Sequence, residues 1–83
     1  MLQEDQFCRI EFNGEIYDSR HGGPFDRGSA DSWYSRGFDP HYYVDGTGTS
    51  KRVELADMTV AEILAYRAGY AHNEQFGGKK DYS

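Results

Sequence analysis

The chain has few of the devices by which a small protein holds itself together. One cysteine, Cys8, stands among 83 residues; it excludes an internal disulfide, and no Cys/His cluster offers a structural zinc in its place. Apolar runs long enough to span a bilayer are missing, which excludes a membrane-spanning helix. The opening residues, Met1 to Gln6, are acidic and polar, unlike a secretory signal, so with the free thiol a bacterial cytoplasm is the expected location. Positive charge is scarce too: 9 Lys and Arg face 14 Asp and Glu, a formal net charge of −5. The basic residues are dispersed, so a broad phosphate-tracking surface is not expected. An acidic protein of this kind can instead cover a basic site on a partner. Direct nucleic-acid binding would need a local patch of Arg27, Arg36 and Arg67 beside stacking rings.

The length allows one domain, residues 1–83, near the lower limit for a self-sufficient core. Homodimerisation would relieve that limit. The segment "QFCRIEFNGEIYD" reads as a β-hairpin around Asn13-Gly14, whose residues accept the positive φ of a tight turn. Its Cys8-Ile10-Phe12 row should face the core, with Arg9 and Glu11 outward and Ile16 on the return strand. "SRHGGPFDRG" reads as a loop on its glycines and proline. A short helix should then start at Ser29 as N-cap and end near Gly37, and Asp39-Pro40 begins an extended or turning piece. Arg52 to Leu55 reads as a third short strand. Thr59 and Glu62 form a capping box for a long helix ending at Gly77-Gly78. On that helix Val60, Ile63, Tyr66 and Tyr70 share one side with Leu64 at its flank, and Glu62, His72 and Asn73 lie opposite. Gly69 in mid-helix predicts close approach of another backbone. The fold class is α+β: a hairpin packed on one long and one short helix.

From Tyr17 to Tyr43 there is no Ile, Leu, Val or Met, yet seven aromatics occur. These rings are expected to supply core area, with nearby Asp, Ser, Arg and His serving their hydroxyl and indole groups. Sites are harder to read. Cys8, His21, His41 and His72 lack metal-ligand spacing, so no metal and no cofactor is expected. Serines 19, 29, 32 and 35 with His21, His41 and Asp31 form a catalytic triad only on paper, since no nucleophile motif frames them. "HGGP" and "DGTGTSK" are turns rather than phosphate loops. Arg67 falls on the tyrosine side of the long helix, where an ion pair with Asp31 or Asp39 is expected. Binding is the more natural role of Asp31, Trp33, Tyr34, Arg36, Asp39, His41, Tyr42, Arg67 and Tyr70, which include the residue types that dominate interface hot spots.

"FDRGSADSWYSRGFDPHYY", "AEILAYRAGYAHNE" and "GGKKDYS" together resemble a family of small proteins from phages and prophage regions. The match runs through Asp26, Arg27, Gly28, Ser29, Ala30, Asp31, Pro40, His41, Tyr66, Gly69, Tyr70, Asn73, Glu74, Lys80 and Asp81. The resemblance carries no activity to any residue. It implies a non-catalytic accessory protein that binds and modulates, in the inhibitory sense, a host protein or nucleoprotein complex such as a defence or gene-expression machine. "AYRAGY" also resembles part of ribosome modulation factor, which implies an RNA- or ribosome-associated factor as the alternative. A small hydrolase or nucleotide-handling enzyme is the third reading.

Overall fold

The computed structural model describes residues 9–45 and 50–80. Strands β1 (Arg9–Phe12) and β2 (Glu15–Asp18) form the expected hairpin, with Phe12 opposite Glu15 and Ile10 opposite Tyr17. Asn13 and Gly14 both take positive φ, 53° and 84°, as a two-residue turn that matches strand twist requires. Ile10 and Phe12 turn inward while Arg9 and Glu11 are exposed. Cys8 lies outside the described residues.

Helix α1 spans Pro24–Trp33 and so starts well before Ser29. Gly23 is the N-cap and Pro24 opens the first turn, where a missing N–H costs nothing. Asp26 accepts a hydrogen bond from the Gly22 N–H at 2.9 Å. "GGPFD" is therefore a helix start, and Ser29 sits inside the helix rather than capping it. The helix does not run on to Gly37. Its end is a Schellman motif: Ser35 N–H donates to the Ser32 carbonyl and Arg36 N–H to the Asp31 carbonyl, with Ser35 at φ 58°.

Strand β3 (His41–Tyr43) pairs antiparallel with β4 (Arg52–Glu54), Tyr42 opposite Val53. The short strand near Arg52 is present, but it makes a second two-stranded sheet with β3 instead of extending the hairpin. A single 3₁₀ turn, Leu55–Asp57, leads to helix α2, Val60–Phe76. Its capping box is formed in both directions, Thr59 N–H to Glu62 at 2.8 Å and Glu62 N–H to Thr59 Oγ1 at 3.1 Å.

Contact between α1 and α2 is the main tertiary joint, and glycine makes it. A Cβ on Gly69 would stand 2.0 Å from the Phe25 carbonyl oxygen, and one on Gly28 would stand 2.0 Å from the Tyr66 carbonyl oxygen. Each helix thus presses its backbone against the other where the opposing residue has no side chain. The buried face of α2 is Tyr66, Ala68, Gly69 and Asn73. Val60 and Leu64, expected inward, are 73% and 48% exposed, while Asn73, expected outward, is buried. Gly69 permits the close crossing, and Tyr66 and Asn73 are carried inward, where they donate hydrogen bonds to Asp31 and Ser32 of α1.

The apolar nucleus is Phe12, Phe25 and Ala68, flanked by Ile10, Tyr17 and Ala71. His72, also expected outward, packs its ring on Phe12 and Phe25 at centroid distances of 5.3 and 5.6 Å. The middle segment feeds this nucleus with Phe25 and Tyr17. Trp33, Tyr34 and Phe38, also expected to fill the core, lie at the surface instead, 38%, 40% and 53% exposed. Trp33 is the last residue of α1, Tyr34 is its C-cap, and Phe38 lies in the segment leading to β3.

Candidate functional site

Asp31 organises the end of α1. It is almost fully buried, and Tyr66, fully buried on α2, donates its hydroxyl hydrogen to the Asp31 carboxylate. Arg36 places Nε 3.1 Å from the other carboxylate oxygen, and His41 Nδ1 lies 3.7 Å from the first. The Schellman turn explains Arg36: the same turn that ties its backbone to the Asp31 carbonyl returns its side chain to the Asp31 carboxylate. Tyr66 Oη also accepts from the Asp39 N–H at 3.0 Å, and His41 Nδ1 bonds to the Asp39 carbonyl at 2.7 Å. Helix α1, helix α2 and strand β3 are thereby locked around one carboxylate. A lone buried charge would be costly; this one has a cation and a phenol as partners. Burial, and then the Asp31 hydrogen bond, push the Tyr66 phenol well above its ordinary range. Tyr66 is held neutral, a donor rather than a nucleophile.

A second network joins the C-terminal ends of the helices. Asn73 Nδ2 donates to Ser32 Oγ at 2.9 Å and to the Gly78 carbonyl at 2.8 Å. Ser32 Oγ donates to Glu74 at 2.6 Å. Lys79 donates to the Ser32 carbonyl at 3.0 Å and pairs with Glu74, whose carboxyl is held below its usual range first by that lysine and then by Ser32. The Lys80 N–H closes on the Trp33 carbonyl at 2.7 Å.

These two networks support a surface of rings and cations. The Arg36 guanidinium lies over the Tyr34 ring, 4.8 Å from its centroid, with Lys80 Nζ 5.9 Å from the same centroid. Phe38 meets Tyr66 and Tyr70 edge-on at 5.2 and 5.4 Å, and Lys79 Nζ stands 6.0 Å from the Tyr70 ring. Cations so placed favour the ring faces electrostatically and keep the rings oriented.

Beside this surface opens a polar cleft of about 310 Å³ lined by Arg27, Asp31, Arg36, Asp39, His41, Tyr43 and Arg52. Its cations are already paired: Arg27 with Asp26 at 2.8 Å, Arg36 with Asp31, and Arg52 with Asp39 at 3.0 Å and Glu54 at 2.6 Å. The Glu54 hydrogen bond, the largest influence, raises the Arg52 pKa further. The cleft offers directed hydrogen bonds with little net field, which suits polar exchange with a partner better than capture of free phosphate. Among the described residues no three His, Cys, Asp or Glu side chains gather as a metal site.

Of the nine residues singled out from sequence, Asp31, Arg36, Asp39 and His41 meet in the cleft, and Trp33, Tyr34, Arg36 and Tyr70 belong to the ring surface. Tyr42 and Arg67 stand apart. Tyr42 bonds to Glu62, which raises its pKa, and it lines a separate hollow with Arg20 and Ala61. Arg67 is exposed beside the hairpin, and the ion pairs expected of it belong to Arg36 and Arg52. Sequence reasoning missed Phe38, Lys79, Lys80 and the cleft's Arg52, and it named Arg27 only for a nucleic-acid patch. Gly37 before Phe38 read only as a helix stop and Asp39-Pro40 after it only as a turn or extended piece, and nothing local indicated that the segment after α2 folds back on α1. No known protein family, curated protein or solved structure matches the chain.

Proposed function

We propose that this is a non-catalytic accessory protein that binds and modulates a host protein or nucleoprotein complex in the cytoplasm, using the ring-and-cation surface at the joined helix ends. The observation that carries the reading is the exposure of Trp33, Tyr34 and Phe38, with Arg36 lying over the Tyr34 ring. Aromatic side chains and arginine supply most of the energy at protein interfaces, and rings held rigidly by the fold lose little entropy on binding. The phage-type resemblance supplies the host context, and inhibition is the expected consequence of covering a working surface.

The test is capture from a bacterial lysate by the full chain, with nuclease treatment, comparing wild type with Tyr34→Ala and Phe38→Ala. Both replaced side chains are substantially exposed, so the variants should keep wild-type circular dichroism. A stoichiometric protein retained after nuclease by wild type and lost by both variants supports the reading. Equal retention by the variants would sink it. Loss of all bound material after nuclease, with steep salt dependence, would instead favour an RNA-associated factor, for which the cations over Tyr34 and Tyr70 are suited.

A further inference from the structure

On another part of the molecule, a trough of about 550 Å³ runs between the hairpin and α2. One wall is all of β2, Glu15 through Asp18; the other is Ala61, Leu64 and Ala65. Successive strand residues point to opposite faces of a sheet. A hollow bordered by all four β2 residues therefore meets the strand along its edge, not on one face. That edge is unpaired, since β2 bonds only to β1 among the described residues. The helical wall is a stripe at spacings of three and four, low because two of its members are alanine. Ile16 stands 69% exposed at the strand and Leu64 48% exposed at the helix.

We infer that this trough receives an extended, basic segment of a partner protein, added as a third strand on β2. A two-stranded sheet is marginal alone, and an added strand would satisfy the free backbone groups of β2 while laying alternate apolar side chains on Ala61, Leu64 and Ala65. The charge of the rim selects the occupant. The charged groups on the trough wall are Glu15 and Asp18, Asp18 lying 3.8 Å from Arg20; the adjoining hollow holds Glu62 and Arg20, so three carboxylates face one cation and the rim stays net acidic, in a chain of net charge −5. A second copy of this chain is a poor occupant: antiparallel pairing of all four β2 residues would set Glu15 opposite Asp18 at both ends, and like charges directly opposite destabilise a strand pair. Lysine or arginine at those positions reverses the sign. This surface is independent of the ring surface proposed above, and the two can fail separately.

The test uses a yeast-displayed library of random peptides selected on the wild-type protein, with Ile16→Lys as the counter-selecting variant. Ile16 is exposed, so the variant should fold normally, and circular dichroism checks this. Enriched peptides should alternate β-branched or aromatic residues with Lys and Arg. The best of them should shift the backbone amide resonances of Glu15 to Asp18 and lose about tenfold or more in affinity to Ile16→Lys, while Tyr34→Ala leaves its affinity unchanged. No enrichment, enrichment of acidic or uncharged peptides, resonance shifts confined to Trp33 to Phe38, or concentration-dependent dimerisation lost in Ile16→Lys would overturn the inference.

Discussion

Replacing Gly69 by alanine sets two physical effects against each other, and the structure says which prevails. In an isolated helix the change stabilises by about 1 kcal/mol, because alanine loses less backbone entropy. Here the new methyl would lie 2.0 Å from the Phe25 carbonyl oxygen and 2.8 Å from its carbon. Both are backbone atoms of α1 and cannot rotate away. Ordinary contact begins at 3.4 Å, so the helices must part by about 1.4 Å, the difference between 3.4 and 2.0 Å. Overpacking of this kind costs about 1–3 kcal/mol. Parting the helices also stretches the Tyr66–Asp31 hydrogen bond, and a buried polar group left unpaired costs about 1–3 kcal/mol more. The expected net is a destabilisation of about 2 kcal/mol or more, a large share of the stability available to a domain this small. Urea unfolding followed by circular dichroism would show it as a midpoint lowered by about 2 M, for a denaturant slope near 1 kcal/mol/M. Gly28→Ala should behave likewise, and the double variant should lose less than the sum, because one separation accommodates both methyl groups. A Gly69→Ala protein as stable as wild type would refute the glycine-to-backbone crossing as the main joint of the fold.

Three further outcomes follow from particular contacts. Tyr66→Phe should cost about 1–3 kcal/mol in the same urea assay, because Asp31 loses a donor and the Asp39 N–H an acceptor. Ser35→Gly should stabilise by about 1 kcal/mol, since Ser35 holds the left-handed position of the Schellman turn at φ 58°. Burial and then the Asp31 hydrogen bond hold the folded pKa of Tyr66 above the ordinary tyrosine value of 10.0. Its contribution is therefore fully present below pH 10 and declines above it as unfolded chains ionise first. The urea midpoint should fall as the pH rises above about 10, and that fall should be smaller in Tyr66→Phe.

Local chemistry was sufficient wherever one short stretch carries its own answer. Asn13-Gly14 dictates the hairpin turn, and Thr59 with Glu62 closes its capping box using only neighbouring atoms. Gly69 announced a close approach because a mid-helix glycine has a cost that something must offset. "GGPFD" was legible in principle, since proline after a glycine cap with an acid at the third position starts a helix; its glycine content simply reads first as loop. Of the candidate site, the residue types were visible and their neighbours were not. Arg36 and Arg52, rather than Arg67, pair with Asp31 and Asp39, an outcome no spacing along the chain encodes.

By itself the amino-acid order determined the hairpin turn, the capping box, the long helix and a small α+β architecture, because hydrogen bonds between near neighbours and side-chain size act over a few residues. Only tertiary structure decided which aromatic rings are buried and which are presented. That choice depends on where the two helices cross: at the glycine contact Tyr66 and Phe25 are buried, and at the end of α1 and after it Trp33, Tyr34 and Phe38 are exposed. Where a crossing falls is a property of two surfaces in contact, and neither helix carries that information alone.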